Sequence, residues 1–185
     1  MNQKLGLKAA SWASIIDAAT LIPRNIGIYR ILALFGVITQ QIVSPIFYVT
    51  PIMINFIVLI SVLNGYLIIA RENKLKNFSK YLYISIISSV AAFILSEIAG
   101  FTGNNIMETI AVTATIISGV ALIMFGNQMF RLKNKFKNLA TAIGTSYMMI
   151  GLLFATYFLS NLATFIGVVL ATFEAVLFFK AAKMK

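Results

Sequence analysis

The sequence predicts an all-α polytopic membrane protein, with six transmembrane helices in three antiparallel hairpins and an N-terminal interfacial helix. Three observations predict this fold. Of the 185 residues, 60% are hydrophobic and 11% are charged, whereas a soluble domain averages about 45–50% apolar and about 25% charged residues. The charges cluster in short turns between long apolar runs. If the chain crosses the membrane at each run, all 15 Lys and Arg residues lie on the same side of the membrane.

The first predicted domain, residues 1–26, is an amphipathic segment on the cytoplasmic side. Its apolar run, 9–22, would reach only about 21 Å as a helix, short of a hydrocarbon layer of about 30 Å. We expect Trp12 to anchor one face of this helix in the membrane interface, and Pro23 to end it. An arm without regular structure is the alternative. A signal peptide is disfavoured because Asp17 interrupts the apolar run.

The second predicted domain, residues 27–180, is the transmembrane bundle. Residues 31–70 carry no charge over 40 positions, which is twice one span, so this stretch must fold back. We expect the break at 44–51, with Thr50 capping a new helix that has Pro51 in its first turn. The six predicted spans are 27–47, 51–70, 81–101, 109–130, 139–159 and 162–179.

The cationic residues predict the orientation. They lie in residues 1–30, 71–80, 131–137 and 180–185, and the opposite turns near 45–50, 102–108 and 160–161 contain none. Basic residues mark cytoplasmic loops. The sequence therefore predicts a multi-pass protein of the cytoplasmic (inner) cell membrane with both termini in the cytoplasm, where 181–185 form a basic tail. Anionic lipid head groups are the expected partners of the basic turns.

The residue inventory disfavours several classes of function. The chain has no Cys and no His, which removes disulfides, thiol catalysis, His-ligated haem and the usual zinc sites. It has no phosphate-binding glycine loop and no nucleophile elbow. We therefore expect no enzymatic activity, no metal and no cofactor. Nucleic acid is also disfavoured despite the net charge of +10, because the cations lie in short turns between apolar runs.

Glu174 is the main candidate for a functional residue. It falls about 9 Å inside Lys180 along a helix, where an ionisable group costs several kcal/mol unless it is paired, hydrated or neutral. Its helical stripe consists otherwise of small or aromatic residues, namely Ala163, Gly167, Ala171 and Phe178. Small residues let membrane helices pack closely, so we expect Glu174 to face the bundle interior.

Two interpretations of Glu174 remain open. It is either a proton-responsive, cation-responsive or ligand-contacting site, or a neutral, hydrogen-bonded side chain that fastens the sixth span to its neighbours. The expected partners at similar depth are Gln128, Asn64 and Tyr147.

A second polar set lies toward the opposite face. Gln40 and Gln41 fall in the first span, Asn55 in the second, and Glu97 at the outer end of the third. Buried amides need partners, so these residues either line an outward-opening polar cleft or cross-link helices. An exposed acidic rim is the further alternative for Glu97.

Spans four and five carry stripes of small residues. Span five has Ala140, Gly144, Gly151 and Ala155 on one face with Tyr147, and span four has Ala111, Thr115 and Gly119. Such stripes are typical of tight helix packing in membranes.

The stretch 118–126, the basic turn after it, Gly144 and the run 147–151 together resemble the six-span, hairpin-repeat acid-resistance membrane proteins of bacteria. The resemblance covers about 35 central residues. It implies three hairpins and a role in stress response. The six-span size is also similar to the substrate-capture components of vitamin transporters, which bind a small ligand in an outward pocket.

These observations favour a small-solute or proton-linked membrane transport or stress-response protein that works through the polar interior around Glu174. A small ligand or a proton would be its substrate. The alternatives are an interaction or assembly subunit, as a homo-oligomer or within a larger membrane complex, and a substrate-binding component of a vitamin-type transporter.

Overall fold

The computed structural model describes residues 3–26, 45–156 and 162–184, with side chains described for 3–20 and for most positions from 57 onward. These residues are helical almost throughout. The helices are α1 (Gln3–Ile26), α2 (Pro45–Glu72), α3 (Lys76–Thr102), α4 (Asn105–Met129), the short α5 (Lys133–Phe136), α6 (Asn138–Ala155) and α7 (Ala163–Lys183), with a 3₁₀ turn at Phe130–Leu132. The all-α prediction is confirmed.

Six of the described helices are long, and they form a closed ring. Each packs against the next in chain order, and α7 packs along α1 to close the circle. The contact between α2 and α3 is much the smallest of the six. Helices α3 and α4 are also joined by a hydrogen bond of 2.8 Å between the hydroxyls of Ser89 and Ser118.

Four segments are long and apolar enough to cross a membrane, judged over the described side chains. They are Asn77–Ser96, Asn105–Phe136, Asn138–Ala155 and Phe165–Lys183. They correspond to the predicted spans three to six. Most of the predicted span one lies outside the described residues, so the complete six-span arrangement stays a prediction.

The predicted break between spans one and two is wrong in its position. The second helix begins at Pro45, six residues before the expected Pro51, and continues through Thr50 without a break. Proline suits the first turn of a helix because the missing N–H would have no helical partner there. Pro51 inside the helix removes one backbone hydrogen bond, a loss that membrane helices tolerate when neighbouring groups compensate.

The N-terminal helix extends further than Pro23, which was expected to end it, and continues to Ile26. Trp12 is 60% exposed and Ile16 is also exposed, whereas Leu7 is buried against the bundle. The apolar face of α1 is therefore open to its surroundings, and the side that contacts α7 and α2 includes small residues such as Ala10. The position of α1 relative to a membrane stays a prediction.

The three described turns after α2, α3 and α4 alternate between the two ends of the bundle. The turns after α2 and α4 lie together, since Lys135 Nζ is 3.9 Å from a carboxylate oxygen of Glu72. The turn between α3 and α4 lies at the far end of α4, about 37 Å away for a helix of 25 residues. Gly103 there has a φ of 59°, and Asn104 caps α4 by accepting the Ile106 N–H at 2.9 Å.

Candidate functional site

Glu174 lies on the buried face of α7. The stripe expected from the sequence is present: Ala163, Ala171 and Phe178 are buried beside it, and Gly167 is half-buried. The Glu174 side chain is only 4% exposed. The prediction that this face of the helix points into the bundle is confirmed.

Two tyrosines hold the carboxyl group. Tyr66 of α2 donates its hydroxyl to Glu174 Oε1 at 2.6 Å, and Tyr147 of α6 donates to the same oxygen at 2.5 Å. Because Oε1 accepts both hydrogen bonds, a proton on the neutral carboxyl group would sit on Oε2. The three side chains join α2, α6 and α7, which are far apart in sequence and meet only in the folded bundle.

Aromatic rings surround these hydrogen bonds. Tyr66 is fully buried, and its ring lies edge-on to Phe178 at 5.0 Å and to Phe125 at 5.4 Å between centroids. Phe125 in turn lies 4.8 Å from the Tyr147 ring and 5.2 Å from Phe78. Such edge-to-face contacts each add about 0.5–1.5 kcal/mol beyond the area that they bury. The tyrosine hydroxyls are thereby fixed in position against the carboxyl group.

A second carboxylate faces the site from α1. Asp17 interacts electrostatically with both Glu174 and Tyr147. The groups that act on Glu174 in the described part of the chain are thus two phenols and a carboxylate, with no cation among them. Among the described residues, a negative charge on Glu174 would be stabilised by the two tyrosine hydrogen bonds.

The backbone of α6 is set against α4 by four glycines. A Cβ on Gly119 would lie 2.5 Å from the carbonyl oxygen of Gly151, and a Cβ on Gly126 would lie 2.6 Å from the carbonyl oxygen of Gly144. Both contacts are too short for any side chain, so the helices touch backbone to backbone. Tyr147 lies between the two contacts along α6, and its ring meets Phe125 of α4 for that reason.

A cavity of about 280 Å³ lies beside the two tyrosines. Most of its lining residues belong to α2 and α3, two helices that contact each other little. The rings of Tyr66, Phe125 and Tyr147 line its inner end, next to the hydrogen bonds to Glu174. The remaining lining residues are largely apolar: Leu59, Val62, Leu63, Leu82, Ser85, Ile86, Ser89, Val90, Phe93 and Leu122. The phenols therefore stand between the cavity and Glu174.

The structure brings together some of the predicted site residues and separates others. Tyr147 binds Glu174 as expected. Gln128 is buried, but its Oε1 has no hydrogen-bond partner among the described residues. Asn64 is half-buried and lines a separate groove between α1 and α2.

The four residues of the predicted outward cleft have side chains outside the described set. Gln40 and Gln41 lie outside the described residues. Asn55 belongs to α2 and Glu97 to α3, and their side chains lie outside the described set. The cleft formed by these four residues stays a prediction.

Sequence reasoning missed Tyr66 and the role of Asp17. Tyr66 lies five residues before the basic turn that begins at Arg71, and Glu174 lies six residues before Lys180. Similar distances from turns on the same side predict similar depth, so this comparison would have found Tyr66. Asp17 carries no comparable signal, because the packing of α1 along α7 depends on tertiary contacts.

The arrangement can exchange a proton or a cation, and it offers little else chemically. Within the described residues, no three acidic side chains converge as they would around a metal ion. A carboxyl group with two phenol donors can be neutral, or charged with its charge stabilised by those donors.

Comparison with known proteins adds no further assignment: no family model, no curated protein and no solved structure matches this chain. The resemblance to acid-resistance membrane proteins therefore stays a prediction.

Proposed function

We propose that this chain is a non-enzymatic membrane protein that couples the protonation of Glu174 to the movement or sensing of a small solute. The observation that carries the proposal is the pair of hydrogen bonds from Tyr66 and Tyr147 to one carboxyl oxygen in an apolar bundle. An intramembrane ionisable residue is costly and usually marks a functional path. Here the carboxyl group is buried and accepts hydrogen bonds from two other helices, which places an exchangeable proton inside the bundle.

The direct test measures proton-linked activity in liposomes. The purified chain is reconstituted with an internal pH-sensitive dye, and the proton flux after a pH jump is compared between the wild type and Glu174→Gln. We expect the flux to be lost in Glu174→Gln, because the amide keeps an acceptor oxygen for the tyrosines but has no proton to exchange.

Glu108→Gln is the matched control, since Glu108 is exposed in the first turn of α4 at the other end of the bundle. Its flux should equal that of the wild type. A wild-type flux that persists unchanged in a folded Glu174→Gln protein would refute the proposal, as would a wild type without flux.

We further propose that the basic end of the bundle faces the cytoplasm and binds anionic head groups. Arg71, Lys80, Arg131 and Lys180 are exposed there, with other lysines. Because the chain contains no cysteine, single introduced thiols can report sidedness. A membrane-impermeant maleimide should label Asn104→Cys in intact cells, and Asn134→Cys only after lysis.

The alternative function is an interaction or assembly subunit that docks a larger membrane complex through this basic end. The concentration of exposed cations at one end of the bundle favours it. Purification in mild detergent separates the two functions: a stoichiometric partner or a stable oligomer would support docking, and a lone monomer would count against it. A substrate-binding role of the vitamin-transporter type would instead require a ligand in the outward cleft of Gln40, Gln41, Asn55 and Glu97.

A further inference from the structure

We propose that the cavity between α2 and α3 admits a hydrophobic organic cation, such as a lipophilic amine or ammonium compound, that replaces the proton on Glu174. This inference rests on the proposed function and names the substrate class of the same site. The cavity is bounded by α2, α3, α4 and α6, and its inner end is the pair of phenols that bind Glu174.

Charge selects a cation. Glu174 is buried, and its carboxyl group carries a negative charge once its proton has left. The titratable groups that act on Glu174 are Asp17 from α1, Tyr66 from α2 and Tyr147 from α6; Phe125 of α4 and Phe78 of α3 add rings without charge. A bound cation would therefore compensate a charge that nothing else described at this site neutralises, and an anion would be repelled.

The aromatic walls select an organic cation over a metal ion. A cation within about 6 Å of an aromatic face is attracted by the ring, and such cages are a known means of recognising ammonium groups. Tyr66, Phe125 and Tyr147 present three rings at the inner end of the cavity, and Phe93 adds a fourth ring to the lining. Hard metal ions take six or more oxygen ligands, whereas this lining is mostly hydrocarbon.

The position of the cavity favours a hydrophobic compound. Val90 and Phe93 line the cavity and are also exposed on α3, which is long and apolar enough to cross a membrane. A route along these side chains would lead from the hydrocarbon layer to the phenols. The entering cation would contact the phenol rings and oxygens, and the deprotonated Glu174 would compensate its charge through the two hydrogen bonds.

The exchange balances in charge. A neutral Glu174 releases its proton to solvent as the cation binds, so one positive charge leaves for each one that enters. Binding should therefore release protons and weaken as the pH falls.

Benzyltrimethylammonium is the probe, and neopentylbenzene is its uncharged control of nearly the same shape. Calorimetric titration into the detergent-solubilised chain gives affinity, and a pH indicator in weak buffer gives the protons released. We expect the ammonium compound to bind at least about tenfold more tightly than the hydrocarbon and to release a proton on binding.

Three variants define the site. Glu174→Gln should weaken binding of the ammonium compound by about tenfold or more and abolish proton release. Phe93→Leu, at a cavity position that is 55% exposed, should weaken it by about threefold, whereas Phe165→Leu, on α7 and 63% exposed, should leave it unchanged. Both phenylalanines are exposed, so neither change should disturb folding.

Equal binding of the charged and uncharged probes, or ammonium binding that is unaffected by Glu174→Gln, would overturn the proposal. Proton flux that depends on Glu174 in liposomes, combined with no binding of benzyltrimethylammonium, would reject the substrate class and leave the proposed function standing. Loss of both would reject the two together.

Discussion

Helices α4 and α6 meet backbone to backbone at two glycine pairs, whereas α7 meets α2 and α6 through polar side chains at Glu174. At the first interface, Gly119 faces Gly151 and nothing larger than hydrogen fits between the helices. At the second, hydrogen bonds from Tyr66 and Tyr147 connect the helices, and a cavity lies directly beside them.

The glycine interface between α4 and α6 is structural, whereas the interface at Glu174 is the candidate functional site. The glycine contact has no ionisable group and no free volume, so it can only hold one geometry. The carboxyl contact can change its charge and its hydrogen bonds while the helices stay in place. We therefore expect steric changes to be most damaging between α4 and α6, and chemical changes to matter most at Glu174.

The largest effect is expected from Gly119→Val. A Cβ there would lie 2.5 Å from a backbone oxygen and 2.6 Å from the backbone nitrogen of Ala155, and neither atom can move without shifting α6. The free energy of unfolding should fall by about 3 kcal/mol or more, toward the upper end of the cost of overpacking. SDS titration of the detergent-solubilised protein, followed by circular dichroism, measures it.

Val120→Leu is the control, because Val120 is the next residue along α4 and is exposed. It should unfold at the same SDS fraction as the wild type. Comparable stability of Gly119→Val would show that the two helices do not need direct backbone contact.

The next largest effect is expected from Glu174→Leu. This change leaves the buried Tyr66 hydroxyl and the partly buried Tyr147 hydroxyl without an acceptor, and each buried group left unsatisfied costs about 1–3 kcal/mol. Glu174→Gln keeps the acceptor oxygen and should stay within about 1 kcal/mol of the wild type in the same titration. If the Leu and Gln variants were equally stable, the tyrosine hydrogen bonds would contribute little to folding.

Removing one phenol hydroxyl should have a smaller effect. Tyr66→Phe and Tyr147→Phe each leave Oε1 with one donor, so each should lower the free energy of unfolding by about 1 kcal/mol. The double variant removes both donors from the buried oxygen and should cost more than the sum of the single changes. An additive double-mutant cycle would mean that the two hydrogen bonds act independently.

The smallest effect is expected at the basic end. Lys135→Ala removes the 3.9 Å ion pair with Glu72. The Lys135 side chain is 38% exposed and the Glu72 side chain is 18% exposed. Solvent screens such a pair, so the free energy of unfolding should change by about 0.5 kcal/mol or less. A loss comparable to that of Glu174→Leu would show that the two basic turns stabilise the ring as strongly as its interior does.

Much of the helical pattern follows from the residues alone. Long uncharged runs require helices whose backbone groups bond internally, and the stripes of Gly119, Gly144 and Gly151 predicted the faces that contact. The small residues Ala163, Gly167 and Ala171 on the stripe of Glu174 likewise predicted its direction. Pro51 was misread because a proline weakens a helix locally, while the neighbouring packing decides whether the helix continues.

The sequence by itself therefore determined the all-α fold class and the buried face of α7, because each depends on composition or periodicity along a single segment. Only the tertiary structure decided that Tyr66 and Tyr147 share one oxygen of Glu174, that Asp17 acts on it from α1, and that a cavity opens between α2 and α3. These features depend on which helices become neighbours and how closely they approach. That outcome is a property of the whole ring, and no single helix contains it.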